Sequence, residues 1–276
     1  MTPQKIDCHT HIVNEEIRSS YFARTDGYAI VMEFPASLSA GVLMDDAWKT
    51  VKGERRLFLC PCIDLRTAIP PQLERIEARM QEVPVVGVKI YLTYQAGRAD
   101  DDILMPVYEF CRRHRLTVTY HTGSCALTLP SDNDLAGSDA KYVARAAEQF
   151  PDVNFVLAHM DDPRYMECIR ILQDHPNMFT DFCGAYEPGT KEGSDMEWAI
   201  RTFARAIHQY PESYKQILYG TDFCPPIDLI AVEEYEYTVE RIFRPEQLEA
   251  VYRTNCLRAY PRLRDFITEK ESSSNE

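Results

Sequence analysis

The stretch IDCHTH at residues 6–11 places two histidines two positions apart at the end of a short apolar run. Side chains alternate between the two faces of a β-strand, so His9 and His11 share one face, and Asp7 shares it with them. Two imidazoles on one face can bind the same metal ion. The stretch therefore predicts a first strand that ends in part of a metal site.

Seven further apolar, β-rich segments follow this strand along the chain. The eight predicted strands are Lys5–Ile12, Tyr28–Phe34, Leu57–Ile63, Val85–Leu92, Leu116–Thr122, Asn154–Met160, Met178–Cys183 and Ile217–Phe223. Most are continuous apolar runs, which are typical of strands covered by helices, and segments with helical spacing lie between them. This alternation predicts an α/β fold whose parallel sheet is either closed or open.

Residues with metal-binding side chains end three of the later strands. His121 ends the fifth predicted strand, His159 the sixth and Asp222 the eighth. One histidine at such a place is more often a hydrogen-bonded core residue, but three strand ends together with the first strand indicate a site. They converge only if the last strand lies beside the first. We therefore predict a single (β/α)8 TIM barrel with a metal site at the carboxyl ends of its strands.

The composition narrows the class of protein. A chain of 276 residues with a net charge of −13 is close to the size of one barrel, and its basic residues are scattered, so we expect a small-molecule substrate and no nucleic-acid partner. No signal segment or membrane-spanning run is found, which predicts a cytoplasmic protein without membrane contact. We assign residues 1–267 to the barrel and predict a disordered tail over 268–276. Association into a homo-oligomer is left open.

Cysteine usage gives no sign of a disulfide framework or a zinc knuckle. The chain has nine cysteines, an odd number, and no CxxC pair. Cysteine is among the residues most often buried as a small apolar side chain. We therefore predict reduced thiols in the core.

Lys89 lies inside the fourth predicted strand, where an unpaired ammonium group is costly to bury. Three interpretations remain open. The amine adds carbon dioxide and becomes a carbamate that bridges two metals, or it stays a cation that binds an anionic group of the substrate, or it extends to the rim of the barrel.

Contacts to a substrate are expected from the loops that follow the strands. Tyr91, Ser124 and Arg164 are the candidates that we assign to substrate binding. Three further side chains lie on the same edge of the predicted barrel, namely Tyr94, Tyr186 and Cys224.

The opening DCHTH, with His121, His159 and Asp222 on later strands, resembles the amidohydrolase superfamily. The closer similarity is to its "amidohydrolase 2" branch of short, single-barrel proteins. It is carried by GVKI at residues 87–90, YGTD at 219–222 and TNCLRAY at 254–260, and it extends from residue 5 to about residue 261.

This resemblance implies a divalent metal, often zinc, held by His9, His11, His121 and Asp222. In relatives with one metal ion, the histidine at the position of His159 assists catalysis. In relatives with two, His121 and His159 would hold a second ion, with carboxylated Lys89 as the bridge. The chain departs from the branch at residues 160–163, where MDDP replaces small, glycine-rich residues.

The same residues suit hydrolysis. A zinc ion lowers the pKa of a bound water toward about 7. Asp222 would take the proton and deliver it to the leaving group, and His159 would polarise the carbonyl or stabilise the oxyanion. Asp7 or Thr221 would orient the imidazoles by accepting their second N–H.

We therefore predict a metal-dependent hydrolase acting on a small carboxylic ester, lactone or amide. The first alternative is a metal-dependent decarboxylase of the aminocarboxymuconate-semialdehyde type. A second is a TatD-like deoxyribonuclease, a family that usually has glutamate where Lys89 stands and that the acidic charge opposes. A third is a barrel that binds a ligand without turnover.

Overall fold

The inner layer of the protein consists of short parallel strands. The computed structural model describes residues 4–35, 47–123, 137–184, 194–224 and 231–273. Within these ranges the strands are β1 (Ile6–Thr10), β2 (Tyr28–Met32), β3 (Leu57–Cys60), β4 (Cys62–Ile63), β5 (Gly87–Tyr91), β6 (Thr117–His121), β7 (Phe155–Ala158) and β8 (Met178–Thr180). β1 to β3 pair in sequence order, and so do β4 to β8.

The third predicted strand is divided into β3 and β4. Pro61 lies between them and has no N–H to donate to a neighbouring strand. Its carbonyl still accepts from Lys89 N at 2.8 Å. A bridge between Leu59 of β3 and Val85 links the two groups of strands. The fourth to seventh predicted strands accordingly correspond to β5 to β8.

The eighth predicted strand is present only as a closing segment, residues 217–223, which has no continuous ladder. Isolated bridges join its two ends to β8 and to β1. Leu218 N donates to Thr180 O at 2.8 Å, and His11 N donates to Phe223 O at 2.7 Å. These contacts complete the ring, so the open-sheet alternative is wrong and the fold is a TIM barrel.

Helices form the outer layer. They are α1 (Glu15–Phe22), α2 (Ala47–Val51), α3 (Ile69–Arg79), α4 (Leu92–Gln95), α5 (Met105–His114), α6 (Ala140–Gln149), α7 (Tyr165–Leu172), α8 (Ser194–Gln209), α9 (Ala231–Ile242), α10 (Asn255–Ala259) and α11 (Pro261–Ser273). Local sequence fixes where several helices begin. The Asn14 side chain caps α1, the Asp139 side chain caps α6, and α3 and α5 have proline in their first turn. None of the helices in these ranges combines the length and apolarity needed to cross a bilayer.

A helix covers most of the carboxyl-terminal segment. Helix α11 continues past residue 268 as far as Ser273, so no helix end marks the boundary that we placed at residue 268. Leu263 and Ile267 of this helix are buried with Tyr260 in the core. This packing gives the helix the apolar anchor that the polar sequence after residue 267 does not reveal.

Buried side chains fill both the barrel and the space under the helices. Every residue of β1 to β8 is buried. Eight cysteines lie in the described ranges, and all eight are buried without a disulfide bond. The prediction of core thiols is confirmed for these eight.

A buried carboxylate fastens β1 to the closing segment. Asp7 Oδ1 accepts from Thr221 N at 3.0 Å, and Asp7 Oδ2 accepts from Thr221 Oγ1 at 2.7 Å. The hydroxyl of Tyr21, on α1, donates to the same Oδ2 at 3.0 Å. Asp7 therefore joins the two ends of the ring to the first helix.

We expect Tyr21→Phe to lower the free energy of unfolding by about 2 kcal/mol, because it removes a hydrogen bond to a buried carboxylate. Urea denaturation of the wild type and the variant measures this loss. Tyr237→Phe is the matched control. Tyr237 is 43% exposed, so the free energy of unfolding of this variant should stay within about 0.5 kcal/mol of the wild type. Equal stability of Tyr21→Phe and the wild type would contradict the role of this contact.

Candidate metal centre

The six side chains predicted as metal ligands lie together at the carboxyl ends of the strands. β1 carries His9, His11 directly follows it, β5 carries Lys89, and His121 ends β6. His159 directly follows β7, and Asp222 lies in the closing segment. Ring closure therefore brings together residues more than two hundred positions apart.

Three of these residues form a compact group. Asp222 Oδ1 lies 3.1 Å from His11 Nε2 and 3.4 Å from His9 Nε2. Ligands at about 2.0–2.1 Å from a tetrahedral zinc ion are about 3.3 Å apart from one another. These two distances, with all three ligand atoms within 4.8 Å of one another, fit one shared cation.

A second pair of histidines adjoins this group. His159 Nε2 lies 3.0 Å from His121 Nδ1, and the centroid of the His159 ring is 5.2 Å from that of His9. The Nδ1–H of His159 donates to Cys183 O at 2.7 Å. In this arrangement His121 Nδ1–H donates to His159 Nε2, which places the lone pair of His121 on its Nε2, as metal ligation requires.

The acceptors that orient the paired histidines are not the predicted ones. His11 Nδ1–H donates to Met32 O at 3.0 Å, and His9 Nδ1 faces Asp181 Oδ2 at 3.3 Å. Both Nε2 atoms then present lone pairs toward Asp222. The proposal that Asp7 or Thr221 orients the imidazole rings is wrong, because these two residues bond to each other.

Asp7 also lies on a different face from the one we predicted. The pairing register between β1 and β2 shifts between Asp7 and Thr10. Such an irregularity breaks strict alternation and turns a side chain to the other face. Asp7 consequently contacts Tyr21 of α1, whereas His9 and His11 meet at Asp222.

Lys89 is completely buried, and its Nζ lies 3.3 Å from His9 Nε2. The interpretation in which it reaches the rim is therefore wrong. Burial lowers the pKa of its amine, which the nearby carboxylates of Asp181 and Asp222 oppose.

Burial and nearby charge set the electrostatics of the centre. Burial, followed by the charge of Lys89, lowers the pKa of His9 to about 4, so this ring is neutral at pH 7, as a metal ligand must be. Burial favours protonation of Asp222, but the rings of His9 and His11 outweigh that effect and hold the pKa of its carboxyl below the usual range. The site thus offers a neutral His9 ring and an ionised Asp222 carboxylate.

Left-handed backbone supports two of the side chains. His159, Met160 and Asp161 have φ angles of 70°, 48° and 55°, and Asp222 has a φ of 54°. Non-glycine residues rarely adopt this conformation, and a run of three is costly. The MDDP departure noted in the sequence therefore coincides with a tight turn that presents His159.

The two predicted substrate-binding residues that the structure describes, Tyr91 and Arg164, both make contacts within the protein. Tyr91 stacks between Phe34 and His121, and its hydroxyl donates to Glu33 O at 3.1 Å. The guanidinium of Arg164 donates from two nitrogens to the carboxylate of Asp161. Ser124, like Tyr186, lies outside the described residues.

Sequence reasoning missed Asp181 and Gly184. A Cβ at Gly184 would lie 2.9 Å from His159 Nδ1 and 3.0 Å from Asp222 Oδ2, so glycine is needed beside the centre. Asp181 and Cys183 join His9 and His159 in a second group whose ligand atoms all lie within 4.8 Å of one another. The available signal was a carboxylate inside the apolar run of the seventh predicted strand.

Comparison with known proteins links this arrangement to one family. Residues 45–262 match a family model described as Amidohydrolase. The match begins after His9 and His11, which therefore join the centre through the fold. No curated protein matches the sequence at a significant level.

Several solved structures share the fold at low sequence identity. An amidohydrolase from Burkholderia multivorans with bound zinc has a TM-score of 0.64 and 14% identity, over 94% of this chain and 99% of that one. A probable 2-pyrone-4,6-dicarboxylic acid hydrolase from Acinetobacter baumannii with bound citric acid has a TM-score of 0.63 and 14% identity, over 93% and 99%. A 5-carboxyvanillate decarboxylase from Novosphingobium aromaticivorans, complexed with manganese and a nitrobenzoic acid, has a TM-score of 0.56 and 12% identity, over 90% and 80%.

Proposed function

This chain belongs to the amidohydrolase family, and from that premise we propose that it hydrolyses a small carboxylic ester, lactone or amide with the help of a divalent metal. It is an enzyme of the amidohydrolase type, so the alternative of a barrel without turnover is not pursued. The spacing of His9, His11 and Asp222 is the observation that carries the proposal.

The residues of the centre fit a metal in their donor types and spacing. His9, His11 and Asp222 would hold it, with His121 or Lys89 completing the ligand set and His159 beside them. When bound, a divalent cation polarises a carbonyl and lowers the pKa of a water molecule. We propose zinc as the metal, which the imidazole and carboxylate donors suit.

Asp222 and His159 would handle the protons. The Asp222 carboxylate lies among the ligand atoms and would accept a proton from the attacking water and return it to the leaving group. His159 Nε2 already accepts from His121 in the neutral site. His159 would therefore stabilise an oxyanion only after it gains a proton, and the pair His159–His121 offers a route for that proton.

Two interpretations of Lys89 remain. An ammonium group 3.3 Å from His9 Nε2 would donate to the lone pair that a metal needs. A carbamate avoids this competition and supplies carboxylate oxygens in its place, so we propose that Lys89 is carboxylated in the loaded enzyme. A cationic Lys89 would instead bind the carboxylate of a substrate.

That second interpretation supports a decarboxylase as the alternative function. A buried lysine in a site of this fold can hold a carboxylate group that is to be lost, and one structural neighbour is a decarboxylase. Release of carbon dioxide from a panel of aromatic and muconate acids would favour this alternative. Turnover of lactones without such release favours hydrolysis.

The other proposals concern location and partners. A cytoplasmic location is supported by the eight buried cysteines of the described ranges, which form no disulfide bond there, since disulfides are rare in that compartment. A small-molecule substrate suits a site at the mouth of a barrel.

Metal analysis tests the proposal. We expect the purified protein to hold one or two zinc or manganese ions per chain, and chelation to abolish turnover of lactones or esters until metal is restored. His11→Ala should lose metal, whereas His114→Ala, whose ring pairs with Glu77 on the helical surface, should keep it. Protein that contains no first-row metal and cannot be loaded would exclude this function.

A further inference from the structure

Asp181 is a buried carboxylate beside the metal centre that none of the proposed steps uses. We propose that Asp181 is a positioning residue: it holds His9 in the tautomer whose Nε2 lone pair faces the metal, and it ties His9 to the turn that presents His159. This inference rests on the proposed function and extends it to the groups that support the ligands.

The contacts of Asp181 join three elements of the barrel. Its Oδ2 faces His9 Nδ1 at 3.3 Å, and its Oδ1 accepts from His159 N at 2.9 Å and from Cys183 Sγ at 2.9 Å. The side chain is fully buried. Both carboxylate oxygens therefore act as acceptors, and β1, the turn after β7 and the segment after β8 meet at one group.

The acceptor role decides where the proton of His9 lies. With a carboxylate facing Nδ1, the neutral ring keeps its proton on Nδ1 and leaves Nε2 unprotonated. Nε2 is the atom that lies 3.4 Å from Asp222 Oδ1. Asp181 thus acts on the metal centre through His9 and is not itself a ligand of the metal.

The same residues also resemble a metal site, since His9, His159, Asp181 and Cys183 gather within 4.8 Å. Hydrogen bonding argues against that assignment. His159 Nδ1 donates to Cys183 O at 2.7 Å, and the Cys183 thiol donates to Asp181. His9 would also have to use both ring nitrogens for metals. The geometry points to a hydrogen-bonded support rather than a second ion.

Asp181→Asn tests the role of Asp181 as a hydrogen-bond acceptor for His9, because a side-chain amide has one accepting end and one donating end. If its oxygen keeps the bonds from His159 N and Cys183, its NH2 group faces His9 Nδ1. Cys183 Sγ lies 3.2 Å from the same nitrogen and has already donated its hydrogen to residue 181, so we expect His9 Nδ1 to accept from the amide. The proton of His9 moves to Nε2. In the opposite orientation the NH2 group of the asparagine would face the N–H of His159. Two donors would then meet, so this orientation is disfavoured.

The test uses protein labelled with 15N in histidine, free of metal, followed by zinc titration against a competing chelator. In the wild type we expect His9 protonated on Nδ1. In Asp181→Asn we expect protonation on Nε2 and a loss of zinc affinity of about 10- to 100-fold. Asp64→Asn is the matched control: this buried carboxylate follows β4 and accepts from Gln95 and Arg66, so His9 and the zinc affinity should not change.

Three results would overturn the proposal. One is a wild-type His9 that is protonated on Nε2. This measurement uses the wild type alone, so it decides the question even if Asp181→Asn does not fold. Another is an Asp181→Asn protein with an unchanged tautomer and an unchanged zinc affinity. The third is Cys183→Ala with one metal ion fewer per chain, which would make the cluster a metal site. Because the tautomer is read in metal-free protein, a wild type that binds zinc but hydrolyses nothing refutes the proposed function alone.

Discussion

Asp222→Asn is expected to lower kcat/KM by about a thousandfold or more at saturating metal while the protein stays folded. The amide cannot accept a proton, and general acid–base groups contribute about 10²- to 10⁴-fold. Asparagine tolerates the left-handed backbone at this position, where φ is 54°, so the local structure should persist. Steady-state kinetics, metal content and thermal unfolding measure the three quantities separately.

Asp265→Asn is the control for this substitution. Asp265 lies on α11 and pairs with Arg115 at the surface, so we expect turnover within about twofold of the wild type. An Asp222→Asn enzyme with full metal content and activity within a few-fold of wild type would refute the proton-transfer role.

Gly123→Ala is expected to lower the free energy of unfolding by about 2–5 kcal/mol. Gly123 follows β6 with a φ of 75°, and an added Cβ would lie 2.4 Å from both the N and the O of Asp162. A side chain in left-handed backbone costs about 1–2 kcal/mol, and overpacking typically adds about 1–3 kcal/mol. Because Asp162 ends the turn that presents His159, we also expect weaker metal binding.

Gly53→Ala separates these two costs. Gly53 has a φ of 84°, yet nothing lies within 4 Å of the position of a Cβ. Urea denaturation should therefore show only the backbone cost of about 1–2 kcal/mol at Gly53. Equal losses of unfolding free energy in Gly123→Ala and Gly53→Ala would mean that the backbone of Asp162 moves away from the added Cβ at no cost in stability.

The strands were accessible from the sequence because buried parallel strands are continuous apolar runs, and that pattern is local. The structure departs from the predicted strands in two places, and each departure has a local cause that does not appear in the apolar pattern. Pro61 removes a donor and divides the third strand, and the left-handed Asp222 belongs to a closing segment held by isolated bridges. Neither change alters the order of the strands, so the predicted barrel was correct.

The structure brings the predicted ligands together, but sequence reasoning missed Asp181, which supports two of them. Strand ends converge in a barrel, so His9, His11, His121 and Asp222 could be placed near one another from their positions in sequence. Asp181 was missed because its local signal, a carboxylate inside an apolar run, does not say which residues the carboxylate contacts. Only its contacts with His9 and His159, 172 and 22 residues away in sequence, reveal what it does.

The sequence by itself determined the kind of fold, the places of His9, His11, His121 and Asp222 at strand ends and the acidic charge of the chain, because these depend on composition and on periodicity within single strands. The tertiary structure alone decided that Lys89 is buried beside His9, that Asp7 turns toward α1, and that Asp181 faces the imidazole of His9. Those three outcomes depend on a register shift and on the closing of the ring. Both are set by pairing between distant segments, which no local stretch of sequence encodes.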